Sequence, residues 1–437
     1  MKKILLKSTI ATAILLSAMT LSAGNLHGLY TNYEYNEETG DSTNTATAFK
    51  LGDKGIYTAT TNSDKTGFDM PTFISSDALK DFNSTKHFIT SNYWQSNLLF
   101  SFGEKEVRVI LLEDGTVESK ILLNDFGYNQ GWRNDRDVRL TRGYSQDIIG
   151  FGKTGVKMTR SIYDTNTNTS KYQKAKLVLN DFGYDQGWRK DKHVRTLGDI
   201  GSINIALIGF GDEGVFVSRT GGDFGSEDYN YTTIPTFNQK KLYLNDFGYD
   251  QGWRNDKHIR KVINYPLANY INNPRILAFG DDGVYTSDMN VTTEKFEPKQ
   301  LAVGAFGYNQ GWRKDKHLRL LTNVTSEGGW PREKDIVGFR DNNVYVSKGN
   351  NDGTFEAPQV WLANGFGYNQ GWRVTDKRIL FDVNDDGYVD IVGFKNNQIY
   401  VSLNNNGSTF ADPQLWLKDF KENYSFLIPI LSTLFGD

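Results

Sequence analysis

Phe126-Gly127-Tyr128-Asn129-Gln130-Gly131-Trp132-Arg133 returns four times, at Phe182–Arg189, Phe247–Arg254, Phe306–Arg313 and Phe366–Arg373, always with Asp or Asn at the fourth place. Successive phenylalanines (126, 182, 247, 306, 366) lie 56, 65, 59 and 60 residues apart. A period of that length is too long for a helical hairpin and suits one four-stranded blade with generous loops. The chain therefore reads as a repeat protein whose unit is a blade.

Outward from these loops, a second pattern recurs. Ala48 to Thr58 holds two short strand-like runs about a glycine-containing turn, and the same hairpin follows at Leu98–Ile110, Asp147–Thr159, Ala206–Ser218, Ile276–Ser287, Asp335–Ser347 and Asp390–Ser402. Its first half, such as Ile336-Val337-Gly338-Phe339, is apolar throughout and suits an inner strand buried on both faces; its second, such as Val344-Tyr345-Val346-Ser347, alternates and suits a strand farther out. A later run, Lys241–Leu244 or Gln359–Leu362, closes the blade and leads into the next loop. Seven hairpins predict seven blades. A worn loop copy at Asp81-Phe82 to His87 and a remnant at Asp419-Phe420 suggest termini that share one blade, which would pair the edges that an open array must cap. The expected fold is all-β: a seven-bladed β-propeller with four-stranded antiparallel blades, occupying 24–437 as one domain.

Residues 1–23 carry Lys2, Lys3 and Lys7, a short apolar run from Ile10 to Leu16, and small residues ending at Ala23. That layout predicts a secretory signal peptide and a secreted or periplasmic product, the run being too short to span a bilayer. The sequence contains no Cys, so a buried core and not disulfides must hold it. Net charge is -3, from 49 basic and 52 acidic residues that are interspersed, which argues against nucleic-acid partners; no later segment is apolar enough for membrane insertion. With 23 Tyr, 27 Phe and 9 Trp, aromatic residues are the compositional excess, and they suit both strands and ligand platforms.

Three groups of residues carry candidate chemistry. Asp382-Val383-Asn384-Asp385-Asp386-Gly387-Tyr388-Val389-Asp390 places oxygen side chains at alternate positions around a glycine. Asp382, Asn384, Asp386, the Tyr388 carbonyl and Asp390 predict one structural calcium site in the last blade. Equivalent loops are worn: Asn323 to Gly328 loses the spacing, and Asp199 to Ser202 keeps one carboxylate. In the five complete loops, Tyr128, Tyr184, Tyr249, Tyr308 and Tyr368 with Trp132, Trp188, Trp253, Trp312 and Trp372 offer flat apolar faces, and Arg133, Arg189, Arg254, Arg313 and Arg373 offer donors. That mixture suits a sugar's C–H face and hydroxyls. The same residues also suit a blade-to-blade joint, with Phe and Trp packing inside. Lastly, His87, His193, His258 and His317 occupy one repeat position, where the third blade has Asp137. Spread one per blade, they cannot share a metal, which leaves a ligand-facing or structural role in each cleft. An enzyme is not expected, because no metalloprotease, serine-hydrolase, cysteine or phosphate-loop signature occurs.

The repeat Phe-Gly-Tyr-Asn-Gln-Gly-Trp-Arg-x-Asp-Lys-His-x-Arg, followed by Asp-x-Asn-x-Asp-Gly-x-x-Asp-Ile-Val-Gly-Phe, resembles that of the Psathyrella velutina lectin family over about residues 45 to 420. That family consists of seven-bladed propellers with integrin-like calcium loops (FG-GAP or VCBS repeats) that bind N-acetylglucosamine and sialylated glycans between blades. The resemblance implies a multivalent lectin whose partners are glycans or glycoproteins, with pockets built by the Tyr, Trp and Arg residues above and by His193, His258 and His317. The alternative is an integrin-like adhesion propeller that binds protein through an annular face, with Gly221–Thr236 and Ile263–Asn273 as its asymmetric inserts.

Overall fold

The structure, a computed structural model, describes residues 27–420 apart from 36–41, 52–54, 76–86, 94–95, 114–115, 142–146, 165–168, 201–203, 221–232, 267–271, 291, 328–333 and 351. The expected leader, the worn loop copy before His87, most of the first insert and the middle of the second (267–271) lie outside the described residues.

Seven antiparallel sheets form the blades, at 27–75, 87–123, 138–179, 194–244, 259–303, 318–362 and 377–417. Blade 6 shows the pattern: Leu318–Thr322, Asp335–Phe339, Val344–Ser347 and Gln359–Leu362 pair in chain order. Blade 3 adds a hairpin, Ser161–Asp164 with Thr169–Tyr172, and blade 5 adds the short strand Lys295–Phe296. The Ile-Val-Gly-Phe run is the second strand and not the innermost. All of Asp335–Phe339 is buried, which is why the four residues after the aspartate are apolar without alternation. The strand inside it was not legible as a strand. First strands of neighbouring blades lie side by side, Val138–Thr141 against His87–Tyr93 and Val194–Ile200, so they line the axis.

Within the first strands of blades 3 to 7 sits a buried arginine: Arg139, Arg195, Arg260, Arg319 and Arg378. Each donates to the carbonyl of the loop phenylalanine before it (Phe126, Phe182, Phe247, Phe306 and Phe366) at 2.8–3.0 Å. Burial lowers these guanidinium pKa values to about 10. Arg139, Arg260, Arg319 and Arg378 lie over the second-strand phenylalanine of the preceding blade, as Arg260 does over Phe210 at 5.6 Å, and so join two blades.

The termini do not share a blade among the described residues. Among the described strands, the first sheet comes wholly from the N-terminal side and the seventh wholly from the C-terminal side. The ring closes by packing one blade on another: Leu29, Ala48 and Phe68 share a core with Ile379, Val401 and Trp416. The seam repeats an ordinary joint. Phe355 N–H donates to Ala302 O and Phe410 N–H to Trp361 O, each at 3.0 Å, and Phe68 N–H to Trp416 O at 3.5 Å. Lys50 to Asn397 and Lys65 to Asp385 (3.0 Å) add polar contacts across it.

Candidate functional site

Each complete loop crosses from the outer strand of one blade to the first strand of the next. Its phenylalanine takes φ between 55° and 64°, a left-handed conformation disfavoured for any residue with a Cβ. The side chain explains the exception: all five rings are at most 1% exposed and plug the gap between blades. The tryptophan six residues on lies against the phenylalanine, with ring centroids 4.7–4.9 Å apart, and is 4–6% exposed. Opposite four of the five tryptophans the approach is close enough to require glycine: a Cβ at Gly150, Gly209, Gly338 or Gly393 would stand 2.3–2.5 Å from the indole edge. The flat indole faces expected to receive sugar are thus spent on the joint, and only the indole edge remains.

Tyrosine stands farther out, partly exposed at 184, 249, 308 and 368, and 39% exposed at Tyr128. Its N–H and that of the next residue bind two carbonyls in the hairpin turn of the preceding blade, at 2.7–3.1 Å in all five loops. The arginine of the same loop folds back over the ring, with Cζ 3.6, 3.8, 3.7, 3.8 and 4.1 Å from the centroids of Tyr128, Tyr184, Tyr249, Tyr308 and Tyr368. A second cation arrives from the preceding loop: Arg136 on Tyr184 (5.5 Å), Lys192 on Tyr249 (4.6 Å), Lys257 on Tyr308 (4.8 Å) and Lys316 on Tyr368 (5.2 Å). The tyrosine faces are therefore covered by cations, and the clefts at Tyr249, Tyr308 and Tyr368 each present a Tyr–Arg–Lys cluster rich in donors for hydroxyls or a carboxylate.

His193, His258 and His317 are not open to a ligand. Each is at most 5% exposed. Its Nδ1 accepts the N–H of Arg189, Arg254 or Arg313 at 3.0 Å. Its Nε2 meets Asp212, Asp281 or Asp341 at 2.9–3.0 Å. Where histidine is missing, Asp137 and Asp376 take the same N–H, from Arg133 at 2.6 Å and from Arg373 at 2.8 Å. The position exists to accept one backbone donor, a requirement met by either residue type.

Burial holds the three histidines below their usual pKa of 6.5, against the raising effect of their aspartates. A depressed histidine pKa means that the unfolded chain binds protons the folded chain refuses. Stability is therefore fully present above pH 6.5 and falls as pH drops below it, by at most about 1.4 kcal/mol per pH unit for each histidine. Urea midpoints between about pH 7.5 and pH 5.5 should show this decline, and a triple His→Gln variant should flatten it; equal slopes in both proteins would refute the assignment.

A further ladder ties loop to loop: Lys190 Nζ donates to Asn134 O, Asn255 Nδ2 to Lys190 O (3.0 Å) and Lys314 Nζ to Asn255 O. Sequence reading passed over these residues because they sit in the variable place after the arginine.

The residues read as calcium ligands share one stretch of the last blade, where burial and then the charges of Asp386 and Asp382 raise the Asp390 carboxyl. Asp390 turns both oxygens to backbone donors, from Val383 at 3.0 Å and Asn404 at 2.8 Å. Asp335 does the same in blade 6, for Val324, Thr325 and Gly349 at 3.0–3.2 Å. Asp382, Asn384 and Asp386 remain gathered in one turn, where Asp382 takes the N–H groups of Asp386 and Gly387 at 3.1 and 3.0 Å. Among the described residues, no three His, Cys, Asp or Glu side chains are grouped to hold a metal.

No protein-family model matches the chain, the FG-GAP and VCBS types included, and no curated protein matches it. Among solved structures it is similar to a lectin of Agrocybe aegerita that specifically recognises non-reducing terminal N-acetylglucosamine: 28% identity, TM-score 0.69, covering 85% of this chain and 89% of that one. A Lactobacillus plantarum protein (8% identity, TM-score 0.44, 90% of this chain and 97% of that one) is a much weaker match. So is a proposed 6-phosphogluconolactonase of Bacteroides uniformis (12% identity, TM-score 0.40, 78% and 95%). At those scores neither bears on function.

Proposed function

We propose that this chain is an exported, multivalent carbohydrate-binding propeller, a lectin for glycans ending in N-acetylglucosamine or sialic acid, with residues 1–23 as its export signal. The observation that carries the reading is repetition. The Tyr–Arg–Lys cluster recurs at successive blade junctions, on a scaffold 28% identical to an N-acetylglucosamine-recognising lectin over 85% of the chain. Catalysis asks for one constellation that breaks symmetry, whereas weak, repeated sites gain strength on a glycan-covered surface through effective concentration.

A glycan array tests this. Arrays bearing terminal N-acetylglucosamine or sialylated sugars should retain the protein about 100-fold more tightly than the monovalent sugar binds in solution. Binding no better than to unmodified supports would discard the reading. We further propose that Asp382, Asn384, Asp386, the Tyr388 carbonyl and Asp390 take a structural calcium ion. Calorimetric melts with calcium and with a chelator decide it, an unchanged Tm being the result against.

A further inference from the structure

The five loop tryptophans are alike in burial but not in what their indole N–H meets. Trp132, Trp188 and Trp253 donate to Asp125, Asp181 and Asp246, at 3.3, 3.2 and 3.2 Å. Each of these aspartates precedes the loop phenylalanine and also binds a lysine of the next blade: Lys157 at 3.2 Å, Lys240 at 2.8 Å and Lys299 at 3.0 Å. Two of those ammonium groups lie over the aromatic joint itself, Lys240 at 5.4 Å from Trp188 and Lys299 at 5.8 Å from Trp253. In these three clefts the indole edge is sealed by an ion pair.

The other two loops have lost both partners together. Ala305 and Gly365 stand where the aspartate was, and Pro358 and Pro413 stand before the outer strand, where Lys240 and Lys299 were. Gly365 now faces Pro413, whose Cγ would be 3.2 Å from a Cβ built there. The indole N–H groups of Trp312 and Trp372 make no hydrogen bond, and neither is among the fully enclosed polar atoms, so both reach the surface. Tyr345 lies 6.0 Å from Trp312, and Tyr400 lies 5.8 Å from Trp372. Paired across the strands from them are Val360 and Leu415, each 47% exposed. A free donor beside an exposed aliphatic side chain, with no carboxylate competing for it and with Arg340 (5.6 Å) or Lys395 (5.2 Å) over the same ring, is thus present twice.

We infer that these two clefts, and not all five, are the working sugar sites, and that each takes the acetamido group of an N-acetylhexosamine. The acetamido carbonyl accepts the indole N–H, while its methyl group lies against the tyrosine and the aliphatic side chain. A hydroxyl alone would use the donor but leave the aliphatic side chain uncovered. The inference rests on the carbohydrate-binding reading and narrows it.

Isothermal titration of the full chain with methyl N-acetylglucosaminide decides between them. The expected stoichiometry is two per chain, with methyl glucoside at least about tenfold weaker. Ala305→Asp with Pro358→Lys should seal one cleft and lower the stoichiometry to one. Asp246→Ala with Lys299→Pro should open another and raise it to three. Five equal sites, equal binding of glucoside, or stoichiometries unmoved in both folded variants would overturn the inference and leave the lectin reading standing. No binding of any N-acetylated sugar would overturn both. The wild-type count needs no substitution, so a variant that fails to fold does not remove the test.

Discussion

Phe247→Ala should destabilise the propeller by about 3–5 kcal/mol, read as a fall in the urea midpoint with unchanged slope. The ring is fully buried, 4.9 Å from Trp253 and within one core with Phe210 of blade 4 and Ala278 of blade 5. Its backbone conformation, with φ 60°, costs about 1–2 kcal/mol for a residue bearing a Cβ. The burial term exceeds the strain term, which is why phenylalanine and not glycine occupies the turn. Phe247→Gly separates the two: it loses the same ring but sheds the strain, and should be about 1 kcal/mol less damaging than the alanine variant. Alanine within about 1 kcal/mol of wild type would mean that the ring is no plug.

The second large effect is expected from Asp335→Ala, also about 3–5 kcal/mol. Asp335 is fully buried and gathers the N–H groups of Val324, Thr325 and Gly349, together with the Thr325 hydroxyl at 2.9 Å. Alanine strands these donors away from water, and stranding costs more than the bonds themselves contribute. Asp335→Asn keeps one acceptor but turns an amide N–H₂ toward donors, so it should recover only part of the loss. Asp352→Ala, whose carboxylate caps the exposed Thr354 N–H at 2.9 Å, is the control and should leave the urea midpoint close to that of wild type. A similar small loss at Asp335 would show that water or a rearranged turn satisfies the donors.

The blade count and the place of the loops were legible because both repeat with a fixed chemistry, the apolar Ile-Val-Gly-Phe strand and the loop octapeptide. The first strand was not. Val138-Arg139-Leu140-Thr141 reads as a polar stretch until the Arg139 guanidinium is seen to find the Phe126 carbonyl, 13 residues back. The histidines misled for the same reason: a donor–acceptor residue on a loop suits a ligand, and only the contact with the Arg189, Arg254 and Arg313 N–H groups shows it engaged within the loop. Tryptophan was read correctly as a joint residue and wrongly as an open platform. The exchange of Asp246 and Lys299 for Ala305 and Pro358 stood in the sequence, but it acquires meaning only where the structure brings those positions together across a blade junction.

Closure without a shared strand among the described residues makes each blade one uninterrupted length of chain, and the seam between blades 7 and 1 is held by the same Phe N–H to outer-strand carbonyl bond as its neighbours. A gene segment encoding one blade is therefore a complete cassette. It can be copied, lost or exchanged without cutting a sheet, and the chain can be reopened at another junction with the old ends joined. Variation in blade number and in the chemistry of single clefts is in this way uncoupled from the integrity of the ring, so clefts such as those at Trp312 and Trp372 can drift toward new ligands one at a time.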